Sequence, residues 1–125
     1  MSIKAPDALP PNSFELTVVR VESGGNTPDG KHFYSFDPPL LMANQPCQMG
    51  IYLSGQTPGD ITLRKVLTSD PSQFEKFEPT PDGRGFTFRN LATVGEVISI
   101  AVIVKDPSSP FDAIICDPQV INNPD

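Results

Sequence analysis

Hydrophobic and polar residues alternate in short runs along most of this chain. In residues 13–22, Phe14, Leu16 and Val18 fall on one side and Glu15 and Thr17 on the other. A period of two over that length predicts a β-strand. Residues 45–54 repeat the pattern, with Cys47, Met49, Ile51 and Leu53 set against Gln48, Gly50, Tyr52 and Ser54. Residues 60–68 alternate until Lys65–Leu67, where the slip predicts a bulge. In residues 85–90, Phe86 and Phe88 oppose Thr87 and Arg89. Residues 95–105 are rich in Val and Ile and read as the most buried strand. Residues 32–36 form a short β-prone piece. Residues 111–116, centred on Ile114 and Ile115, read as the last strand, with 119–125 trailing off. Leu40–Met42 is too short to assign, and the lone spacing of three between Phe74 and Phe77 fits neither template.

The segments between these runs are turn chemistry. Ser23-Gly24-Gly25-Asn26 and Asp82-Gly83 tolerate positive φ, and the second is a hairpin signal. Asp37-Pro38-Pro39 ends one strand, because proline cannot donate to a ladder. Short strands with turns about every 8–12 residues predict an all-β fold. The expected architecture is an immunoglobulin-like antiparallel β-sandwich of seven or eight strands, with a small closed β-barrel as the alternative. One domain is expected over residues 13–122. A flexible N-terminal arm at 1–12, carrying Pro6, Pro10 and Pro11, precedes it, and a tail at 123–125 follows.

Composition sharpens this picture. Proline supplies 15 of 125 residues, which excludes helical bundles and coiled coils, since each interior proline costs a helix about 3 kcal/mol. Eight Phe and no Trp predict a phenylalanine core and exclude the antibody-type core built on a buried Trp. The net charge of −6, with Lys and Arg scattered, argues against nucleic acid and anionic membrane as partners. The N-terminus lacks the apolar core of a signal peptide, and no apolar run reaches membrane-spanning length. A cytoplasmic location is expected. Cys47 and Cys116 then read as two small buried hydrophobes. In an exported protein they could instead pair, adding roughly 4 kcal/mol in the chain-entropy model.

Catalytic signatures are missing. His32 is the only histidine, so a histidine-pair metal site has no second ligand. No Gly-x-Ser-x-Gly elbow occurs, and the Gly24-Gly25 loop lacks the lysine of a phosphate-binding loop. No catalytic residue, metal ligand or cofactor is assigned. The aspartates at turns read first as Asx-turns, each carboxylate bonding backbone two residues on. A calcium site would need them clustered, and Asp-x-Asp-x-Asp is absent. Asp106, Asp112 and Asp117 are the candidate binding residues, forming an acidic rim if residues 106–110 and 117–122 lie at one end of the sandwich.

Asp-Pro recurs at Asp37-Pro38, Asp70-Pro71, Asp106-Pro107 and Asp117-Pro118, with Glu78-Pro79 between them. This punctuation, and the closing Cys116-Asp-Pro-Gln-Val-Ile-Asn, resembles the DP-EP family of small bacterial proteins. The resemblance covers roughly Phe14 to Asn122. It implies a bacterial origin and a β-sandwich, and it transfers no activity, substrate or site.

The expected function is that of a non-enzymatic binding module whose partner is another protein or a second copy of itself. One alternative is a calcium- or carbohydrate-binding module, the latter needing exposed Tyr34 or Tyr52 on a sheet face. Another is an enzyme whose site assembles only in the fold. A pocket holding His32 with two acids would favour that last reading.

Overall fold

The computed structural model describes residues 9–110 and 114–124. It is a β-sandwich of ten strands among these residues, not a closed barrel. The strands are β1 (Ser13–Arg20), β2 (His32–Asp37), β3 (Leu40–Ala43), β4 (Cys47–Leu53), β5 (Thr62–Thr68), β6 (Phe74–Pro79), β7 (Gly85–Asn90), β8 (Glu96–Lys105), β9 (Ile114–Cys116) and β10 (Gln119–Asn122). The first sheet has the order β2-β1-β4-β7-β6, and the second β3-β10-β8-β5, with β9 pairing β8 beyond β10.

Two pairings depart from the antiparallel expectation. β1 runs parallel to β4, and β10 runs parallel to β3. The chain passes from the first sheet (β2) to the second (β3) and back (β4), so neighbours in space are not neighbours in sequence. The expected trailing end is also a strand. β10 fills the edge of β8, where Val120 and Asn122 are buried. An unpaired ladder edge beside so apolar a strand would leave backbone groups unsatisfied.

The inner faces form the core. Phe14, Leu16 and Val18 of β1, Ile51 of β4 and Phe88 of β7 meet Ile98, Ile100, Val102 and Val104 of β8. β8 is buried on this one face only. Val97 is 60% exposed, because a two-layer sandwich covers just the inner side of each sheet. Two bulges explain the irregular spacings. In β5, Leu63 pairs Val104 and Lys65 pairs Ile103, leaving Arg64 as the extra residue, so Leu63 and Val66 both point inward. The slip therefore falls at Arg64, just before Lys65–Leu67. In β6 the register shifts between Glu75 and Glu78, and Lys76 takes φ +57. That turn brings Phe74 and Phe77 onto the same side, both against Phe88, at ring separations of 5.4 and 5.3 Å.

Most of the expected arm, residues 1–8, lies outside the described residues. Both cysteines are free, Cys116 buried and Cys47 half-buried. No described helix is long and apolar enough to cross a membrane.

Candidate functional site

Arg20 ends β1, His32 opens β2, and the two are register partners. Asp106 follows β8 directly, and its turn carries it to the same end of the sandwich. The intervening loop, residues 21–31, folds back tightly enough that a Cβ on Gly25 would lie 2.0 Å from the His32 carbonyl oxygen. Glycine is the one residue that fits there.

These segments assemble a buried polar clasp. His32 contacts Asp29 Oδ2 through Nδ1 at 2.9 Å and Asp106 Oδ2 through Nε2 at 2.7 Å. The side chains of His32, Asp29 and Asp106 are 3%, 5% and 1% exposed. Arg20 donates from Nε and Nη2 to the two oxygens of Asp106 at 2.8 and 2.7 Å. Its Nη2 also reaches exposed Asp60 at 2.9 Å. The Ser108 backbone N–H and hydroxyl donate to Asp106, and the Thr27 hydroxyl and Lys31 backbone N–H donate to Asp29.

The hydrogen bonds from Arg20 hold the Asp106 carboxyl far below its ordinary value, against the opposing pull of burial. Asp106, and then Asp60, raise the Arg20 guanidinium in turn. For Asp29, burial opposes ionisation most strongly. Bonds from Thr27, Lys31 and His32 together outweigh it and leave the carboxyl below its ordinary value. Both carboxylates therefore sit in the clasp as anions.

A shallow cavity of about 290 Å³ lies beside the clasp, lined by Arg20, Asp29, Lys31, His32, Ser108 and Pro110 among others. His32 with two acids next to a cavity is the arrangement an assembled enzyme site would need. Its chemistry is already spent, however. Both ring nitrogens face carboxylates and the ring is buried, so neither is open to a substrate proton. The Ser108 hydroxyl bonds Asp106, so no serine–histidine pair forms. Asp29 and Asp106 lie on opposite sides of the ring and do not converge. Among the described residues, no group of three or more His, Cys, Asp or Glu is placed to hold a metal ion.

Of the three expected rim residues, Asp106 is locked inside the clasp. Asp117 is exposed beyond β9, with its backbone N–H on the Tyr34 hydroxyl, and Asp112 lies outside the described residues. Asp106 follows the last residue of β8, whereas Asn122 pairs Glu96, the first. Along that strand Asn122 thus sits about 30 Å from Asp106, and Pro118, whose carbonyl accepts from the Ile100 N–H, about 20 Å, so residues 106–110 and 117–122 form no common rim. Four turn aspartates, Asp29, Asp70, Asp82 and Asp106, accept the backbone N–H two residues on, as Asx-turns do. Tyr34 is half-buried beside Phe36. Tyr52 is half-buried over Gly50 and Gly85, where an added Cβ would meet its ring at 2.6 and 2.8 Å. From the sequence, Arg20 carries no role, and Asp29 and Asp60 are simply turn aspartates. Asp29 is only three residues from His32, but Arg20 is 40 and 86 residues from Asp60 and Asp106, and no spacing signal joins those three.

The outer face of the second sheet is the other notable surface. Seven large hydrophobic side chains are exposed among the described residues, and five (Leu40, Met42, Leu67, Val97 and Ile115) point outward from this sheet. Met42, Ile121 and Val97 are register partners across β3, β10 and β8. Ile115 pairs Ile103 and Leu67 pairs Ala101. Lys65, Lys105 and Asp117 are exposed charges on or beside this face. The free edges of the first sheet are less inviting. The Asn26 side-chain amide occupies both the N–H and C=O of Tyr34 on β2, and the left-handed Lys76 breaks β6.

No protein-family model matches the chain, and no curated protein matches it either.

Proposed function

We propose that this protein is a non-enzymatic interaction module that self-associates, face to face, through the outer side of its second sheet. The concentration of five of the seven exposed large hydrophobics on that side carries the reading. Apolar side chains scattered singly need no explanation, whereas a contiguous exposed patch marks an interaction surface. Allowing for the short β3, β9 and β10, strands about 4.8 Å apart give this face a footprint on the order of 450 Å². Two copies would bury roughly 900 Å², the size of a weak, reversible contact. The face carries little of the chain's net −6 charge, so two copies meet there with little repulsion. The blunted edges of the first sheet leave it a poor site for strand addition. In keeping with the acid-proline punctuation, the reading places the protein in a bacterial cytoplasm.

Sedimentation velocity over a wide concentration range tests this. The wild type is expected to show a reversible monomer–dimer equilibrium. The exposed substitutions Met42→Lys and Val97→Lys together should leave a folded monomer. A wild type that is monomeric at every concentration, or a double variant that still dimerises, overturns it.

A further inference from the structure

On the side of the sandwich away from that patch, the outer face of the first sheet holds an aromatic ring beside two cavities. Tyr52 of β4 lies over Gly50 and Gly85, where an added Cβ would meet its Cε2 at 2.6 Å and its Cδ1 at 2.8 Å. Those atoms belong to opposite edges of the ring, so the ring spans both glycines with one face on the sheet. A cavity of about 300 Å³ is lined by Asn12, Ser13, Gln48 and Tyr52 among others. Another of about 440 Å³ is lined by Tyr52, Thr80, Asp82 and Arg84 among others. Ligand pockets span about 300–1,000 Å³, so both are of binding size.

The first cavity holds an unanswered polar group. Ser13 is 8% exposed, and its hydroxyl is the one buried side-chain polar atom without a hydrogen bond among the described residues. Such an orphan is costly to keep. Ser13 is the register partner of Gly50, so its side chain stands on the same side of the sheet as the Tyr52 ring, whose phenol end overlies Gly50. Asn12 and Gln48, both exposed, add side-chain amides to this cavity. The charges of the second cavity are already engaged. Arg84 donates to the carbonyls of Ser54, Thr57, Pro58 and Ile61. Asp82 accepts from the Thr80 hydroxyl and the Arg84 backbone N–H.

We propose that this face binds a neutral oligosaccharide, with one pyranose ring stacked on the outward face of Tyr52 and its neighbour bonded by Ser13, Asn12 and Gln48. A pyranose has an apolar C–H face and a rim of hydroxyls. The face suits the electron-rich face of an aromatic ring. The rim both donates and accepts, as do a serine hydroxyl and side-chain amides. An extended peptide fits less well, because it needs a free strand edge, and β4 is paired on both sides by β1 and β7. The two glycines let the ring lie flat, and the engaged Arg84 and Asp82 give the second cavity a fixed wall. Because the two sheets face opposite ways, self-association through the second leaves this site open.

Amide and tyrosine-ring NMR signals of the wild type would be followed during titration with cellohexaose, maltohexaose and chitohexaose. At least one is expected to shift the Ser13, Gly50 and Gly85 amides and the Tyr52 ring, and to saturate. Tyr52→Ala should weaken that binding about tenfold or more. Gln48→Ala, at an exposed position, should keep the fold and weaken it about threefold, so the proposal remains testable where the tyrosine variant does not fold. No shift with any of the three sugars, shifts confined to another surface such as exposed Phe33, or undiminished binding in either folded variant overturns the proposal. The Ser13 hydroxyl would then be left to an ordered water. Sedimentation reads self-association separately, so either result there leaves this test intact.

Discussion

Replacing Asp106 by alanine would show how much the clasp holds the sandwich together. The carboxylate accepts two bonds from Arg20, one from His32 and two from Ser108. These contributions are unequal. The Arg20 side chain is 38% exposed, so its pair is screened and its loss costs about 0–1 kcal/mol. The His32 contact is buried on both sides, and removing its charged acceptor leaves a buried ring nitrogen unpaired while Asp29 still holds the other, a cost of about 1.5–3 kcal/mol. The expected loss is therefore about 2–4 kcal/mol, a large part of the ~5–15 kcal/mol that holds a domain folded. With a urea slope of about 1–3 kcal/mol per molar, the midpoint should fall by roughly 1–2 M. The sign with pH is also set. The Asp106 carboxyl titrates lower in the folded chain than in the unfolded one. Its contribution is complete above the unfolded value of about 4 and is lost as pH falls below it. Urea melts of both proteins at neutral and acid pH would show the gap narrowing below about pH 4. A loss under about 1 kcal/mol at neutral pH, or a gap of constant size at all pH, would refute the reasoning.

Burial pushes the Cys116 thiol up to about 12. The unfolded thiol ionises near 8.5, so stability should fall by about 1.4 kcal/mol per pH unit between these values, roughly 2 kcal/mol by pH 10. Cys116→Val should be near neutral at pH 7 and flatten this alkaline limb in thermal melts; an equal slope in both proteins would count against it. Gly25→Ala forces a Cβ onto the His32 carbonyl, with backbone rather than a movable side chain in the way. It should cost about 1–3 kcal/mol and lower the Tm by several degrees, and a Tm within a degree of wild type would contradict the packing.

What was legible in the sequence was local. Alternation through Phe14–Val18, Met49–Leu53 and Phe86–Phe88 placed strands and the faces they bury, because side-chain direction alternates along any extended strand. Asp before Pro or Gly marked turns, because an Asx-turn closes within three residues. The spacing of three between Phe74 and Phe77 stayed unreadable until the left-handed Lys76 explained it. The strand at Gln119–Asn122 was equally hidden, since its reason for existing is the open edge of β8, which no local pattern reports. His32 stood out as the only histidine, but nothing near it in sequence foretold its partnership with Asp106, 74 residues away. The same holds for the outer face of the second sheet. Met42, Ile121 and Val97 are unremarkable in their own runs and become a patch only when three distant strands align. Periodicity and turn chemistry act over a few residues and are written into the chain. Register, sheet order and the meeting of charges depend on which strand lies beside which, and only the folded chain decides that.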